Sequence, residues 1–409
     1  MVRVCDAIMG SGKTESTIRY INEHPDLKFV YITPYLPEAE RIAKGCKNLK
    51  MYEPVRTSEH KGSKILHTMS MIEEGKSIAT THQAFKGYPP EMLALIKEKH
   101  YVLIIDENVD VLQKMSEDPA DIQMAIDAGY IEERDDGTCH LVSDKYNGKT
   151  HRDMFRILKS RDIVKISSEK NETFYYWQLP ADLIESFDEV IILTYMFEGQ
   201  SLCHFLKLND IPYKYIGIEH PEEKVWRFAD DGTYVPEYVK TLSEKIHILD
   251  NAKLNSVGDG YTDLSVSWFD RQDTDKQTLK NNVYNYFFHM QRGVPSDAKM
   301  WSTVKDAESK ISGKGYTRGF VPFNCKATNE YRNRVALAYC INVFMNVGEK
   351  IFYEKHGIDV NQDAYALSAL VQWVWRSAIR DGKEIWLYLP SRRMRELFIN
   401  WMKEVSGDE

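Results

Sequence analysis

An α/β fold built on parallel sheets, in two domains, is the architecture this sequence predicts, and three observations carry the reading. Over the first 200 residues short apolar runs alternate with longer amphipathic ones, the pattern of strands followed by crossover helices. The run Val102-Leu103-Ile104-Ile105 is apolar without alternation, as expected of a strand covered on both faces. A chain of 409 residues also exceeds what one compact core usually organises.

Taken in order, residues 2–7 read as a strand, 14–23 as a helix, 29–32 as a strand and 38–44 as a helix. Residues 77–80 follow as a strand, 90–99 as a helix and 101–105 as the buried strand, with 190–193 supplying another. Between 110 and 188 the pattern loosens. There Asp135-Asp136-Gly137-Thr138 has the chemistry of a hairpin turn, and residues 173–179 form a Tyr/Trp-rich strand. This stretch reads as an insertion in a first domain spanning 1–200. The second domain, 201–409, carries strands at 213–218, 245–249, 299–304, 319–323 and 384–389. Its helices are expected at 275–291, 329–346, 363–380 and 392–404, with an irregular insertion at about 221–295.

Composition narrows the classes. With 43% hydrophobic and 28% charged residues the chain is that of an ordinary globular protein. A formal net charge of -8 argues against coating nucleic acid by bulk electrostatics, while leaving room for a local basic groove. Six cysteines are scattered without Cys-x-x-Cys spacing, which predicts reduced thiols rather than a metal site. No run approaches the ~18 apolar residues of a membrane span, and strand-like sequence begins at Val2 rather than a signal peptide. A cytoplasmic location with no membrane partner is the expectation.

The chemistry concentrates at Ala7-Ile8-Met9-Gly10-Ser11-Gly12-Lys13-Thr14, placed after a predicted strand and opening a predicted helix. Glycines let successive backbone N–H groups turn toward phosphate oxygens, and the helix N-terminus adds partial positive charge. Met9, Gly10, Ser11, Gly12, Lys13 and Thr14 are therefore the candidate ATP-binding residues, with Lys13 reaching the outer phosphates and Thr14 ligating Mg²⁺. Ala7 stands where the usual P-loop pattern has glycine. The buried strand at 101–105 delivers Asp106-Glu107 to the same edge of a parallel sheet. Asp106 is the expected second Mg²⁺ ligand, and Glu107 the residue that orients or deprotonates the attacking water. ATP and Mg²⁺ are the cofactors these motifs call for.

With those residues in view, Asp106-Glu107-Asn108-Val109 resembles the D-E-x-x box of superfamily 2 helicases. Ile32-Thr33-Pro34 resembles that family's motif Ia and Thr80-Thr81-His82 its motif Ib, which implies phosphate-backbone contacts at Thr33, Pro34, Thr81 and His82. The plain alternative for each tripeptide is a strand-end turn. The run 190–194 with Tyr195 resembles motif III and implies a coupling role for Thr194, although Tyr195-Met196-Phe197 departs from the usual small residues. Gln372-Trp373-Val374-Trp375-Arg376-Ser377-Ala378-Ile379-Arg380 resembles motif VI, with Trp375 in place of glycine and the last arginine displaced by one. On a continuous helix Gln372, Arg376 and Arg380 would share one face. The resemblance implies catalytic roles for them, Arg376 as arginine finger ahead of Arg380. The alternative is a solvated arginine face with the tryptophans in the core. Residues 323–332 stand where motif V is expected, and Lys326, Thr328, Asn329 and Arg332 could grip phosphates; a helix cap by Thr328 or Asn329 is the other reading.

The resemblance implies two RecA-like P-loop domains with parallel sheets plus insertions, with ATP and nucleic acid, single-stranded DNA foremost, as ligands. It is most similar to compact helicase-like proteins of bacteriophages and prophages, and implies an ATPase that translocates on or unwinds DNA or RNA, with a replication or recombination protein as a possible partner. No adenine-reading segment of the helicase kind precedes Ala7, so hydrolysis of GTP or CTP is also expected. Two other readings stay open: a DNA-packaging motor ATPase, and an ATP-gated switch for a protein partner. The aromatic stretches 174–177 and 284–288 suit either base stacking or the core, and the basic glycine-rich loop 310–319 suits phosphate contact or solvent.

Overall fold

A computed structural model describes residues 1–159, 161–168, 172–325 and 330–407. The strands, in chain order, are β1 (Val2–Asp6), β2 (Lys28–Thr33), β3 (Met51–Tyr52), β4 (Ser77–Thr81), β5 (Tyr101–Asp106), β6 (Leu112–Lys114), β7 (Ile131–Glu133), β8 (Thr138–Leu141) and β9 (Ile163–Ser167). They continue with β10 (Thr173–Gln178), β11 (Glu189–Thr194), β12 (Tyr213–Glu222), β13 (Val225–Ala229), β14 (Ile246–Ile248), β15 (Lys299–Ser302), β16 (Ala336–Tyr339) and β17 (Ile385–Tyr388). Contacts divide the chain into two units. The first is Met1–Asp6, Lys13–Gly232 and Asn346–Val360; the second is Ala7–Gly12, Thr233–Met345 and Asn361–Glu409.

The first unit is organised by a sheet in the order β13-β12-β1-β11-β5-β2-β4-β3. Every pairing from β12 to β3 is parallel, and β13 closes the edge as an antiparallel hairpin partner of β12. β1, β11, β5 and β2 are interior strands, and their side chains are almost wholly buried on both faces, which explains their unalternated apolar sequence. The strand at 213–218, expected in the second domain, instead pairs with β1, because Val2–Cys5 presents an open parallel edge to Tyr213–Ile216. The first unit therefore runs to Gly232 rather than to residue 200.

The stretch after β5 forms an antiparallel sheet in the order β6-β10-β9-β8-β7. Its Cys139, Ile163, Tyr175 and Trp177 belong to the same continuous apolar core as Val4, Leu103 and Ile105 of the parallel sheet. The opposite face is covered by the helix Val347–Lys355, supplied from far down the chain. Tyr176 donates to the Asn346 side chain at 2.5 Å, and the Lys355 ammonium donates to the Ser167 carbonyl at 3.1 Å. That helix also meets the helix Ser201–Leu208. The Tyr353 hydroxyl donates to the Ser201 carbonyl at 3.3 Å, and Glu349 accepts from the Ser201 hydroxyl.

The second unit holds the parallel sheet β14-β17-β16-β15. A helix was expected over 329–346, but residues 336–339 form β16 between β15 and β17. The apolar run Val335–Ile341 is long enough for either element, and two waiting strand edges decide it. The strand expected at 319–323 is reduced to one bridge, Trp301 to Phe320. Arg393, buried at 7% exposure, ties the sheet edge to two helices by donating to Asp363, to the Asn342 side chain and to the carbonyls of Val343 and Gln362.

Candidate nucleotide site

β1 ends at Asp6 in the interior of its sheet, and the helix Lys13–Glu23 begins seven residues later. The linking loop needs left-handed backbone at Gly10 (φ 86) and Gly12 (φ 91), where a side chain would be strained. Ser11 N–H donates to the Ile8 carbonyl at 3.3 Å and tightens the turn. The Ser11 hydroxyl is fully buried and has no hydrogen-bond partner among the described residues, an unmet polar group of the kind a ligand oxygen would satisfy.

Lys13 opens the helix. Burial lowers the pKa of its ammonium, while the charges of Cys5, Asp106, Asp6 and Glu107 act to raise it. Those four groups thus surround the lysine within the first unit. Burial pushes the Cys5 thiol up to about 12, against the opposing pull of Lys13.

β5 sits between β11 and β2 and carries Asp106 at its C-terminal end. The Tyr31 hydroxyl, from β2, donates to Asp106 Oδ2 at 2.6 Å. Burial, then the neighbouring Glu107 charge, pushes the Asp106 carboxyl up to about 6 against the opposing pull of Tyr31. Glu107 turns the chain in left-handed backbone (φ 65), held by its N–H donating to the Leu193 carbonyl at 3.0 Å. Thr14 and Asp106 offer hard oxygen donors, a set that fits magnesium bound mostly by phosphates and water. Among the described residues no group of three or more His, Cys, Asp and Glu side chains gathers to hold a metal by protein ligands alone.

Asp6 joins this cluster to the turn after β11. Its carboxylate accepts from Met196 N–H at 2.7 Å and Phe197 N–H at 2.9 Å, and Met196 is itself left-handed (φ 60). Thr194, at the end of β11, donates its hydroxyl to the Gln200 side chain at 2.8 Å, and Gln200 donates back to the Tyr195 carbonyl at 2.9 Å. Asp6, Tyr31 and Gln200 escaped sequence reasoning. The available signals were a carboxylate closing an apolar strand directly before the glycine loop, and a tyrosine inside the otherwise aliphatic β2.

The residues expected at nucleic acid divide. Thr33 is buried and its hydroxyl has no partner among the described residues, while Pro34 is half-buried. Thr81 caps the helix His82–Phe85 by accepting from Ala84 N–H at 3.3 Å. The buried His82 ring approaches the Asp106 carbonyl at 2.9 Å through Nε2, which ties it to the cluster around Asp106. Lys326, Thr328 and Asn329 lie outside the described residues. Arg332 forms a two-point ion pair with Asp381.

In the second unit the helix Gln362–Val374 is capped at its start by Asn361, and it stops before the arginines. Ser377 is extended (ψ -170) and its hydroxyl donates to the Val374 carbonyl at 2.6 Å, while Ala378 N–H donates to the Arg334 carbonyl at 2.9 Å. Gln372, Arg376 and Arg380 therefore do not share a helical face, contrary to the sequence expectation. Gln372 donates to Ser368 at 3.0 Å, Arg380 is exposed on the 3₁₀ turn Ala378–Asp381, and Arg376 is only 6% exposed. Arg376 Nε has no hydrogen-bond partner among the described residues. Trp373 and Trp375 are both core; Trp373 donates to the Val321 carbonyl at 3.1 Å and Trp375 meets Trp401 edge-on.

Parallel sheets with a glycine loop after one interior strand and an Asp-Glu pair after another define an α/β protein of helicase-like fold. One solved structure supports the fold: apo XPD superposes with a TM-score of 0.51 at 12% identity, covering 100% of this chain and 95% of that one. Xpd4 of S. tokodaii gives a TM-score of 0.46 at 12% identity, covering 98% and 94%. Residues 240–402 match the family model described as the YonV C-terminal Rossmann-like domain. The chain is 36% identical over 409 residues, 98% of each protein, to the SPbeta prophage-derived uncharacterized protein YonV of Bacillus subtilis (strain 168), and it belongs to that family. Among the described residues no helix is long and apolar enough to cross a membrane.

Proposed function

We propose that this chain is a nucleic-acid-dependent ATPase of helicase type, coupling hydrolysis to translocation on, or unwinding of, DNA or RNA, with single-stranded DNA as the leading track. The observation that carries the reading is the Asp6 carboxylate. It stands directly before the phosphate loop and holds the turn after β11, so a change at the loop is transmitted mechanically to the segment that resembles motif III.

In this reading the backbone N–H groups of 9–14 cradle the phosphates, and the buried Ser11 hydroxyl finds its missing partner there. Lys13, whose ammonium pKa burial lowers against the opposing pull of nearby acidic groups, contacts the outer phosphates. Thr14 and Asp106 would hold magnesium, which when bound neutralises phosphate charge. Tyr31 fixes the Asp106 rotamer, and Glu107 orients the attacking water. Arg376, buried with an Nε that has no hydrogen-bond partner among the described residues, is the candidate finger, and Arg380 and Gln372 are secondary to it. A replication or recombination protein as partner belongs to the same proposal.

Steady-state ATPase assays with single-stranded DNA, duplex DNA and RNA, with Lys13→Ala as blank, test it. Stimulation by one of these, absent in the blank, is expected and names the track. Hydrolysis that no nucleic acid stimulates would instead favour an ATP-gated partner switch, and no hydrolysis at all would sink the nucleotide reading.

A further inference from the structure

The helix Lys276–Asn285 runs into a π-helical turn, Tyr286–Met290, a widening found frequently at functional sites. Its inner side is anchored. Tyr286 and Phe287 are 1% exposed, Tyr286 donates to the Trp386 carbonyl at 2.7 Å, and the Phe287 ring packs 5.0 Å from Tyr316. The outer side is a different surface. Phe288 is 51% exposed and Met290 43%. Tyr284 and Phe288 stack on one another, ring centroids 5.0 Å apart at 13°, and His289 meets Phe288 edge-on at 5.1 Å.

Tyr284 is half-buried and packs against the core, so it is fixed from behind, and the exposed Phe288 ring stacked on it retains an open π-face. Lys280 lies one helical turn before Tyr284 on the same stripe, and Arg292 follows the π turn. From Lys276 to Ser296 there is no Asp or Glu, within a chain that carries 61 of them and a net charge of -8. Cations flanking a ring platform on an otherwise acidic molecule match a ligand with flat bases and a phosphate backbone.

We propose that Tyr284 and Phe288 form a stacking platform for the bases of single-stranded nucleic acid, with Lys280 and Arg292 neutralising the adjoining phosphates. This deepens the ATPase reading and rests on it for the track, but its test separates the two. Fluorescence anisotropy measures binding of an oligothymidylate of about 16 nucleotides, the matching oligouridylate and an abasic strand of equal length. Phe288→Ala is expected to weaken binding of the base-bearing strands roughly tenfold, leave the abasic strand unchanged, and spare ATPase without nucleic acid. Phe288→Trp should restore affinity, and its indole emission should be quenched as the strand binds. Equal weakening toward the abasic strand, an unchanged affinity, or an unquenched Trp on a bound strand would each overturn the platform while leaving the ATPase standing. Failure of wild type to bind any strand would overturn the platform and the nucleic-acid track together, and loss of ATPase alone would strike only the nucleotide reading.

Discussion

Asp106 depends on a neighbour that no motif includes. Tyr31 donates to its carboxylate from the adjacent strand, opposing the burial that pushes the group up to about 6. Tyr31→Phe removes the donor with little change in volume. A hydrogen bond to a charged group contributes about 1.5–3 kcal/mol, so the magnesium needed for half-maximal hydrolysis is expected to rise roughly tenfold, with kcat at saturating magnesium nearly kept. A magnesium titration of the variant's ATPase measures this; an unchanged curve would show that Asp106 is held without Tyr31. What the sequence made legible was placement set by the backbone: the left-handed turns at Gly10 and Gly12, the helix opening near Lys13 and the buried strand ending at Asp106. Asp6 and Tyr31 were hidden because their partners stand 190 and 75 positions away, a separation that only strand pairing closes.

Elements were read well where sequence left one solution. Unalternated strands such as β5 and β11 are buried on both faces and admit little else. Residues 336–339 were not legible, since an apolar run of that length suits helix or strand until its neighbours are known. The end of the helix Gln362–Val374 was likewise invisible, because Ser377 and the carbonyl of Arg334 end it by hydrogen bonding rather than by glycine or proline. The helix Val347–Lys355 carries a test of its own. Glu349 is pushed up to about 7, by burial first and by Asp110, while its bond from Ser201 pulls the other way. Folding then favours the protonated form, so stability falls as pH rises from the unfolded carboxyl value through about 7, a loss of at most about 3 kcal/mol. Glu349→Gln keeps an acceptor for Ser201 and loses the charge. Its melting temperature is expected to exceed wild type at pH 8 and to converge on it at acidic pH; parallel curves would refute the assignment.

At the scale of the whole molecule the two units are not two halves of the chain. Residues 346–360 leave the second half and complete the first unit, where they cover Tyr176, Ser201 and His204. A fragment ending at Gly232 should therefore melt several degrees below the first unit of the intact chain, and a supplied peptide spanning 346–360 should raise its midpoint. Calorimetry reads both, and a fragment as stable as the intact unit would contradict them. The division expected at residue 200 failed for the same reason: β12 and the helix Val347–Lys355 belong by packing where they do not belong by position.

That returning helix also bears on descent. Genes are reshuffled by recombination, and a protein of two separable halves can trade either one. Here a junction placed anywhere between Gly232 and Asn346 would deliver a foreign helix to Tyr176 and Ser201, so each half can be inherited only with the partner it evolved beside.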